Sequence, residues 1–448
     1  MRKALIKKLS ALVISSVVIK GLGFLFRIYL SRTAGAEGCG LYHLVLSVYT
    51  FGAGLASFGM SQTVSKLVSK NPGHSDKILR TALMVTGAVS LLVTVFFFNF
   101  SEYISEILLK DLRTLKSIKA VVITFPAIGA FSALSGYFNG LLKVGYPARG
   151  NLFEQITRTV FLILFAERGF ALGLEQGIFT VTIGIIAGEF ISTLYLLFAY
   201  KNTKASVKNN YTKTGFFGEI IKNALPIAAG GYIGSFLHTL ENILLPVKLV
   251  SSGLENSAGV SVLGLIKGMA SPLVFFPGII IGAICVLTLP EISKASGNSK
   301  NLERKAKTVL ISSFLTGIFS LFFFLLFSVP LTRSIYGSDD SAFYVRAISL
   351  SLPFLFVSMS GASILNGIGK QNFTLVTGML SGIIKLSGII FFVPRFGING
   401  YLFFFVLSEI CGFLMTCILI WHTIYKKKSL FIYKLPKMRK NNKNYLKY

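Results

Sequence analysis

Long, nearly uncharged apolar runs constrain this chain more than any other feature of its sequence. LLVTVFFFNF (91–100) and LFFFLLFSVP (321–330) are two examples, and each extends into a segment of ~20 apolar residues, long enough to cross a bilayer. Over the whole chain 53% of residues are hydrophobic and 14% are charged, against roughly 25% charged in soluble domains. The sequence therefore predicts an integral membrane protein and excludes a soluble globular domain.

The apolar segments are predicted to be helices. Hydrocarbon offers the backbone no hydrogen-bond partner, so a spanning segment is either a helix or a strand of a closed barrel. The strict polar–apolar alternation that is typical of barrel strands is absent. The prediction is an all-α polytopic protein with about twelve transmembrane helices. Their approximate limits are 9–30, 41–65, 80–100, 119–141, 149–167, 177–200, 222–247, 259–290, 307–329, 343–366, 371–393 and 397–424.

The net charge of +28 resides mainly in short loops and tails. This distribution indicates membrane orientation and contact with lipid headgroups, and nucleic acid is not an expected partner. Under the positive-inside rule, the cation-rich connections lie in the cytoplasm. We therefore expect a plasma-membrane protein with both termini cytoplasmic and the first apolar stretch retained as a span. The cation-rich connections are 2–8, 70–80, 201–213, 294–307 and 426–447.

An internal repeat predicts the domain organisation. FPAIGAFSALSGYFNGLLK (125–143) and LPFLFVSMSGASILNGIGK (352–370) share Pro, Asn, Gly and Lys at one constant offset of 227 residues (353 − 126 = 227). Six spans in each copy keep the two copies parallel, and such lobes usually enclose a central substrate site. The expected organisation is two pseudo-symmetric six-helix lobes around a central cavity. The lobes cover 1–200 and 217–425, joined by a cytoplasmic linker at 201–216 and followed by a basic tail at 426–448.

Two cations in the first span are candidate substrate ligands. Lys20 and Arg27 are seven residues apart, so two helical turns place them on one face, and Gly21 and Gly23 between them allow close approach. A charge at membrane depth costs at least ~2.5–3.5 kcal/mol, so something must compensate for it. The compensation is either a cavity in which the cation faces a ligand or a structural ion pair, and Arg27 could instead snorkel to the interface.

Span seven carries a candidate gating or coupling pair, His238 and Glu241. Glu241 is about as far from its helix start as Arg27 is from its own, so the two could pair in one conformational state. Glu241 could also carry a proton or a cation, or form a fixed ion pair. His238 alone is more often a histidine that packs between helices.

Two further pairs are predicted to be structural. Arg158 and Glu189 fall at similar depth, and Lys385 and Glu409 are their counterparts in the second copy. A pair that occurs in both copies favours an ion pair within each lobe over contact with a substrate. Glu154, one turn before Arg158, could join that network.

No enzyme motif competes with a transport function. The chain has no P-loop, HExxH or GxSxG sequence, so direct use of ATP is not expected. The four cysteines form no CxxC pair and predict neither a disulfide nor a metal site. We expect no cofactor, and coupling to H⁺, Na⁺ or the membrane potential is the remaining source of energy.

Three segments resemble a known family. They are GAEGCGLYHLVLSVYTFGAGLASFGMSQTVSKLVSK (35–70), GYFNGLLKVGYPARGNLFEQITR (136–158) and FFPGIIIGAICVLTLPEISKA (275–295). They are similar to the stage V sporulation protein B family of polysaccharide flippases, in the multidrug/oligosaccharidyl-lipid/polysaccharide flippase superfamily. In the lipid II flippases of that superfamily, basic residues of the first span line a cationic cavity. Lys20 matches one such position, and Arg27 is displaced by about one residue from a second.

The resemblance implies outward movement of undecaprenyl-pyrophosphate-linked sugars across the plasma membrane. The expected partners are the lipid-linked sugar and membrane lipids, and the protein is expected to be a monomer. The alternative is a cation-coupled multidrug or small-molecule exporter, which would favour an acidic, aromatic cavity. A membrane glycosyl polymerase would need a large extracellular catalytic loop, which the sequence does not contain.

Overall fold

The computed structural model describes residues 2–204, 215–295 and 299–424, and within these ranges all regular structure is helical. The predicted all-α fold class is thereby confirmed. In the first half the α-helices are α1 (Arg2–Ser57), α2 (Met60–Lys70), α3 (Ser75–Asn99), α4 (Ser101–Tyr103), α5 (Leu115–Val121), α6 (Phe125–Gly140), α7 (Gly145–Ala171) and α8 (Leu174–Lys204).

The second half continues with α9 (Phe217–Ser251), α10 (Asn256–Leu263), α11 (Ser271–Val274), α12 (Gly278–Ala295), α13 (Ser299–Tyr336), α14 (Ala342–Ser349), α15 (Leu352–Gly367), α16 (Gln371–Ser387), α17 (Val393–Phe396) and α18 (Ile398–Ile424). Three π-helical turns interrupt this sequence of elements, at Ile104–Leu108, Gly264–Ala270 and Gly388–Phe392.

Helix α1 contains the first predicted span, 9–30, and most of the second, 41–65. Its 56 residues would extend ~80 Å as a straight helix, far more than a hydrocarbon core of ~30 Å. The helix breaks at Gly35, whose backbone has φ 65° and ψ −171°. This break turns one continuous helical stretch into two membrane crossings.

Fewer helical stretches than the predicted twelve are both long enough and apolar enough to cross a membrane. Nine helical stretches of the described chain are long and apolar enough to cross a membrane, or ten if the bent pair Ala342–Ser349 and Leu352–Gly367 is one span. One of the nine, Val17–Lys70, contains two predicted spans. Helix α7, which carries several charges, is not among them. The chain is a multi-pass membrane protein, and the count of twelve stays a prediction.

Large apolar side chains face outward along the spanning helices. Met84 on α3 is 74% exposed, and Phe319 and Leu326 on α13 are 73% and 74% exposed. Such a surface would be unfavourable in water but matches lipid tails. The outer surface of the helix bundle therefore fits a bilayer.

The repeat is visible in the backbone. Helices α6 and α15 begin and end at the same offset (352 − 125 = 227; 367 − 140 = 227). Two residues beyond each helix the chain adopts a left-handed conformation, at Leu142 (φ 59°) and Gly369 (φ 81°). The division into lobes remains a prediction, because most of the predicted linker, 205–214, and the tail, 425–448, lie outside the described residues.

Contacts between distant segments define one end of the bundle, which we name the Gly35 end. Arg113 pairs with Glu37 at 2.8 Å, just after the break in α1. The Asn256 side chain donates to the Lys110 carbonyl at 2.9 Å. Segment 101–119 lies here as short helical turns.

We predict that Gly35→Ala lowers the free energy of unfolding by about 1–3 kcal/mol, because its backbone conformation is essentially restricted to glycine. A Cβ at this position meets no atom within 4 Å, so the effect arises from the backbone alone. Thermal unfolding in detergent measures it. Gly21→Ala is the matched control, since Gly21 is helical and equally unobstructed. Equal stability of the two variants would contradict the break.

Candidate functional site

A cavity of about 830 Å³ lies between the two halves of the chain. Seven of the eight predicted site residues line it, and the eighth, Glu189, lies behind its wall. Aromatic side chains such as Phe24, Phe276 and Phe405 form much of the remaining surface. The ionisable side chains that line the cavity are Lys20, Arg27, His43, Arg158, His238, Glu241, Lys267, Lys385 and Glu409.

Lys20 and Arg27 are the two lining cations without a carboxylate partner. Among the residues that the structure describes, no carboxylate oxygen lies within 4.0 Å of either side chain. Both are exposed. The Lys20 ammonium reaches toward α12, where it would lie 3.6 Å from a Cβ on Gly282. The first helix thus presents two free positive charges to the cavity.

Arg158 is held by a cluster on α7, α8 and α1. Its guanidinium contacts Glu189 at 2.6 Å and Glu154 at 2.7 Å, and it donates to the Tyr49 hydroxyl at 3.1 Å. The Tyr49 hydroxyl in turn donates to Glu189. The predicted contact between Arg158 and Glu189 is present, and Glu154 joins it. Two carboxylates on one guanidinium leave little of its charge free for a ligand.

The corresponding contact exists in the second half. The Lys385 ammonium lies 2.8 Å from Glu409 and 4.6 Å from the centroid of the Phe405 ring. Both charged side chains are mostly buried, at 17% and 11% exposure. A lysine with one carboxylate and one aromatic face is compensated in place.

Glu241 has a different partner from the one expected. In this conformation it pairs with Lys267 at 2.6 Å and accepts a hydrogen bond from Tyr401 at 2.8 Å. Arg27 is not its partner here. The physical reason is that Lys267 lies on the π-helical turn Gly264–Ala270, which projects into the cavity beside α9. An exchange between these two cations would require movement.

His238 belongs to a polar contact between α9 and α1. Its Nδ1 atom lies 3.3 Å from the Asn242 amide nitrogen, which also donates to Ser47 Oγ at 2.9 Å. Thr239 donates to the Ser47 carbonyl at 3.2 Å. These bonds hold the two halves of the chain together beside the cavity, and His238 is both a packing residue and a lining residue.

Sequence reasoning missed Lys267 and the two tyrosines that bind the carboxylates. Lys267 carried a usable signal, because it is a charge well inside predicted span 259–290. Tyr49 and Tyr401 carried none, since a tyrosine in an apolar stretch also fits plain packing. Chemically, the cavity has two uncompensated cations, Lys20 and Arg27, which can offer charge-assisted hydrogen bonds to an anion. No cluster of three or more potential metal ligands occurs in the described ranges.

Removing one member of a buried pair should cost far more than removing both. For Glu409→Gln we expect a loss of about 3–5 kcal/mol in unfolding free energy, because the Lys385 charge is left uncompensated. The double variant Lys385→Met with Glu409→Leu should lose much less. Asp339→Asn breaks a pair that is 68% and 48% exposed, and should leave the unfolding free energy nearly unchanged.

Thermal unfolding of the detergent-solubilised protein measures these differences. Additive losses in the double variant would show that the two residues act independently, which would contradict a structural ion pair.

The fold of this chain is similar to the folds of solved membrane transporters. The solved structure of a lipid II flippase, MurJ, in an inward closed conformation matches with a TM-score of 0.74 at 15% identity, covering 96% of this chain and 94% of that one. An inward-facing multidrug resistance MATE transporter of the MOP superfamily matches with a TM-score of 0.70 at 14% identity, covering 92% and 96%. At such identities, these likenesses establish the fold.

Sequence relatives extend over nearly the whole chain. Stage V sporulation protein B of Bacillus subtilis (strain 168) is 25% identical over 418 residues, covering 89% of this chain and 80% of the relative. Lipid II flippase MurJ of the same organism is 23% identical over 420 residues, covering 86% and 77%. The family model described as polysaccharide biosynthesis protein matches residues 5–296. The resemblance found in the sequence is thereby confirmed, and the chain belongs to the polysaccharide biosynthesis protein family.

Proposed function

We propose that this chain is a flippase without enzymatic activity, which moves an undecaprenyl-pyrophosphate-linked oligosaccharide or peptidoglycan precursor outward across the plasma membrane. Family membership and the names of its relatives support transport of this class. The observation that carries the proposal is the pair of uncompensated cations, Lys20 and Arg27, in a cavity where the other lining cations contact carboxylates within 2.8 Å.

A pyrophosphate that crosses lipid must lose most of its hydration, which is prohibitively costly without compensation. Two fixed cations on one helix face supply charge-assisted hydrogen bonds to a diphosphate. Lys20 and Arg27 have no carboxylate to give up first, so they offer this compensation at the least cost. The cavity volume of about 830 Å³ falls in the range of small-molecule sites, and it suits a sugar headgroup whose lipid tail stays in the membrane.

The paired residues have a different part in this proposal. Arg158 and Lys385 keep their carboxylates and fix the walls of the cavity. Lys267 and Glu241 form the coupling pair, because an anion in the cavity competes with Glu241 for Lys267. Alternating access then follows from substrate binding more tightly to one conformation than to the other. A cytoplasmic position of both termini, a monomeric state and coupling to an ion gradient or the membrane potential belong to the same proposal.

Export of small molecules is the second candidate, since the fold also matches a multidrug transporter. A cation-coupled exporter of cationic compounds would favour an acidic cavity. Here Lys20 and Arg27 are uncompensated, and their charges would repel a cationic compound. The charge of the cavity therefore favours an anionic substrate.

The test is binding and flipping of a short-chain polyprenyl pyrophosphoryl sugar by purified protein in nanodiscs and liposomes. Each of Lys20→Ala and Arg27→Ala should weaken binding roughly ten- to a hundredfold, since a hydrogen bond to a charged group contributes about 1.5–3 kcal/mol. Arg168→Ala removes an exposed cation outside the cavity, on α7, and should leave binding unchanged. Wild-type binding and flipping by both cavity variants would refute the proposal.

A further inference from the structure

At the Gly35 end, α1 and the segment after residue 256 approach each other too closely for any side chain. A Cβ on Gly264 would lie 1.9 Å from the Ala36 carbonyl oxygen, and a Cβ on Gly40 would lie 2.0 Å from the Val260 carbonyl oxygen. Real Cβ atoms essentially never approach another atom within 3.0 Å. The two glycines therefore form a reciprocal contact of backbone on backbone between α1 and the segment after residue 256.

The close packing on α1 continues along the π-helical turn. A Cβ on Gly268 would lie 2.8 Å from the Cβ atom of Cys39, so Gly264 and Gly268 both pack against α1. Lys267, from the same turn, points into the cavity and pairs with Glu241 at 2.6 Å. The seven-residue turn Gly264–Ala270 thus connects the packing of its glycines on α1 to the ion pairs of the cavity.

A π-helical turn is well suited to a moving part. It contains an extra residue relative to an α-helix, its hydrogen bonds are less favourable, and such turns are frequent at functional sites. Conversion of this turn to α-helix would rotate the residues on its two sides relative to each other and would change how Gly264 and Gly268 pack against α1. The Lys267–Glu241 pair holds the turn in its present form, because Glu241 is itself fixed by Tyr401 of α18.

We propose that the turn Gly264–Ala270 is the gate of the cavity at the Gly35 end, and that the Lys267–Glu241 ion pair is its latch. Breaking a buried pair is costly while the released lysine stays unpaired. An anion in the cavity removes that cost by accepting Lys267, so the gate opens when substrate is present. This trigger rests on the proposed function, whereas the gate and the latch do not.

Cys39 is a native reporter of the gate. Its side chain is 1% exposed and lies at the contact, 3.3 Å from a Cβ on Gly268. The other three cysteines are replaced by serine to leave Cys39 alone, namely Cys285, Cys411 and Cys417. The rate of Cys39 alkylation by a hydrophilic maleimide, on protein in nanodiscs, then measures how often the gate opens.

Two kinds of variant open the gate by different means. Gly264→Ala adds the Cβ that the contact excludes, and Glu241→Gln removes the charge of the latch without adding volume. Each should raise the alkylation rate of Cys39 at least about tenfold, since a shift of ~1.4 kcal/mol in the gate equilibrium is sufficient. Gly87→Ala on α3 is the matched control, because a Cβ there meets nothing within 4 Å, and its rate should equal that of the parent protein. An unchanged rate in Glu241→Gln, which involves no steric clash, would overturn the latch, and a rapid rate in the parent would overturn the gate.

Adding a ligand to the same assay distinguishes a failure of the gate from a failure of the proposed function. A short-chain polyprenyl pyrophosphate should accelerate alkylation in the parent but not in Glu241→Gln, where the latch is already open. If the variants respond and the ligand does not, the gate stands and the pyrophosphate substrate is refuted.

Discussion

The cost of placing a charge in hydrocarbon governs this structure. Each ionised side chain at membrane depth must be paired, neutralised or kept beside a polar cavity. Arg158, Lys267 and Lys385 meet this requirement with carboxylates at 2.6–2.8 Å. Lys20 and Arg27 meet it only by facing the cavity. This difference separates the charges that hold the helices together from those that are available to a ligand.

The two halves meet the same requirement with different chemistry. Arg158 contacts two carboxylates, whereas Lys385 at the equivalent repeat position contacts one. The counterpart of Glu154 at the 227-residue offset is Ser381 (381 − 154 = 227), whose hydroxyl instead donates to the Ser408 carbonyl. A guanidinium forms bonds in several directions and suits two acidic partners, while the ammonium of Lys385 is completed by the Phe405 ring. The duplicated architecture therefore has unequal walls, and among the described residues the two unpaired cations that line the cavity both lie on the first helix.

The sequence predicts the fold class and most of the cavity, because both follow from the membrane. Apolar length determines helices, and an ionisable residue within such a length is rare enough to mark a site. Paired partners are harder to predict. A pairing of Glu241 with Arg27 in one conformational state was one of the alternatives, and it rested on depth alone, which does not determine which helix faces which. In this structure Glu241 pairs with Lys267. Contacts such as Gly264 with Ala36 depend on backbone separation, which no local pattern encodes. The break at Gly35 falls in the predicted connection between spans 9–30 and 41–65, but the helical structure on both sides of it, without a loop, was not predicted.

Among the described residues, the helix bundle buries its compensated pairs, leaves two cations that line the cavity without a carboxylate, and packs α1 on the segment after residue 256 through a contact that only glycine permits. A structure of the protein with a short-chain polyprenyl pyrophosphate bound tests the role of Lys20 and Arg27 most directly. We expect the pyrophosphate oxygens to lie in the cavity within hydrogen-bonding distance of both Lys20 Nζ and the Arg27 guanidinium, while Arg158 stays on Glu154 and Glu189. A pyrophosphate bound elsewhere, with both first-helix cations left in solvent, would contradict this role.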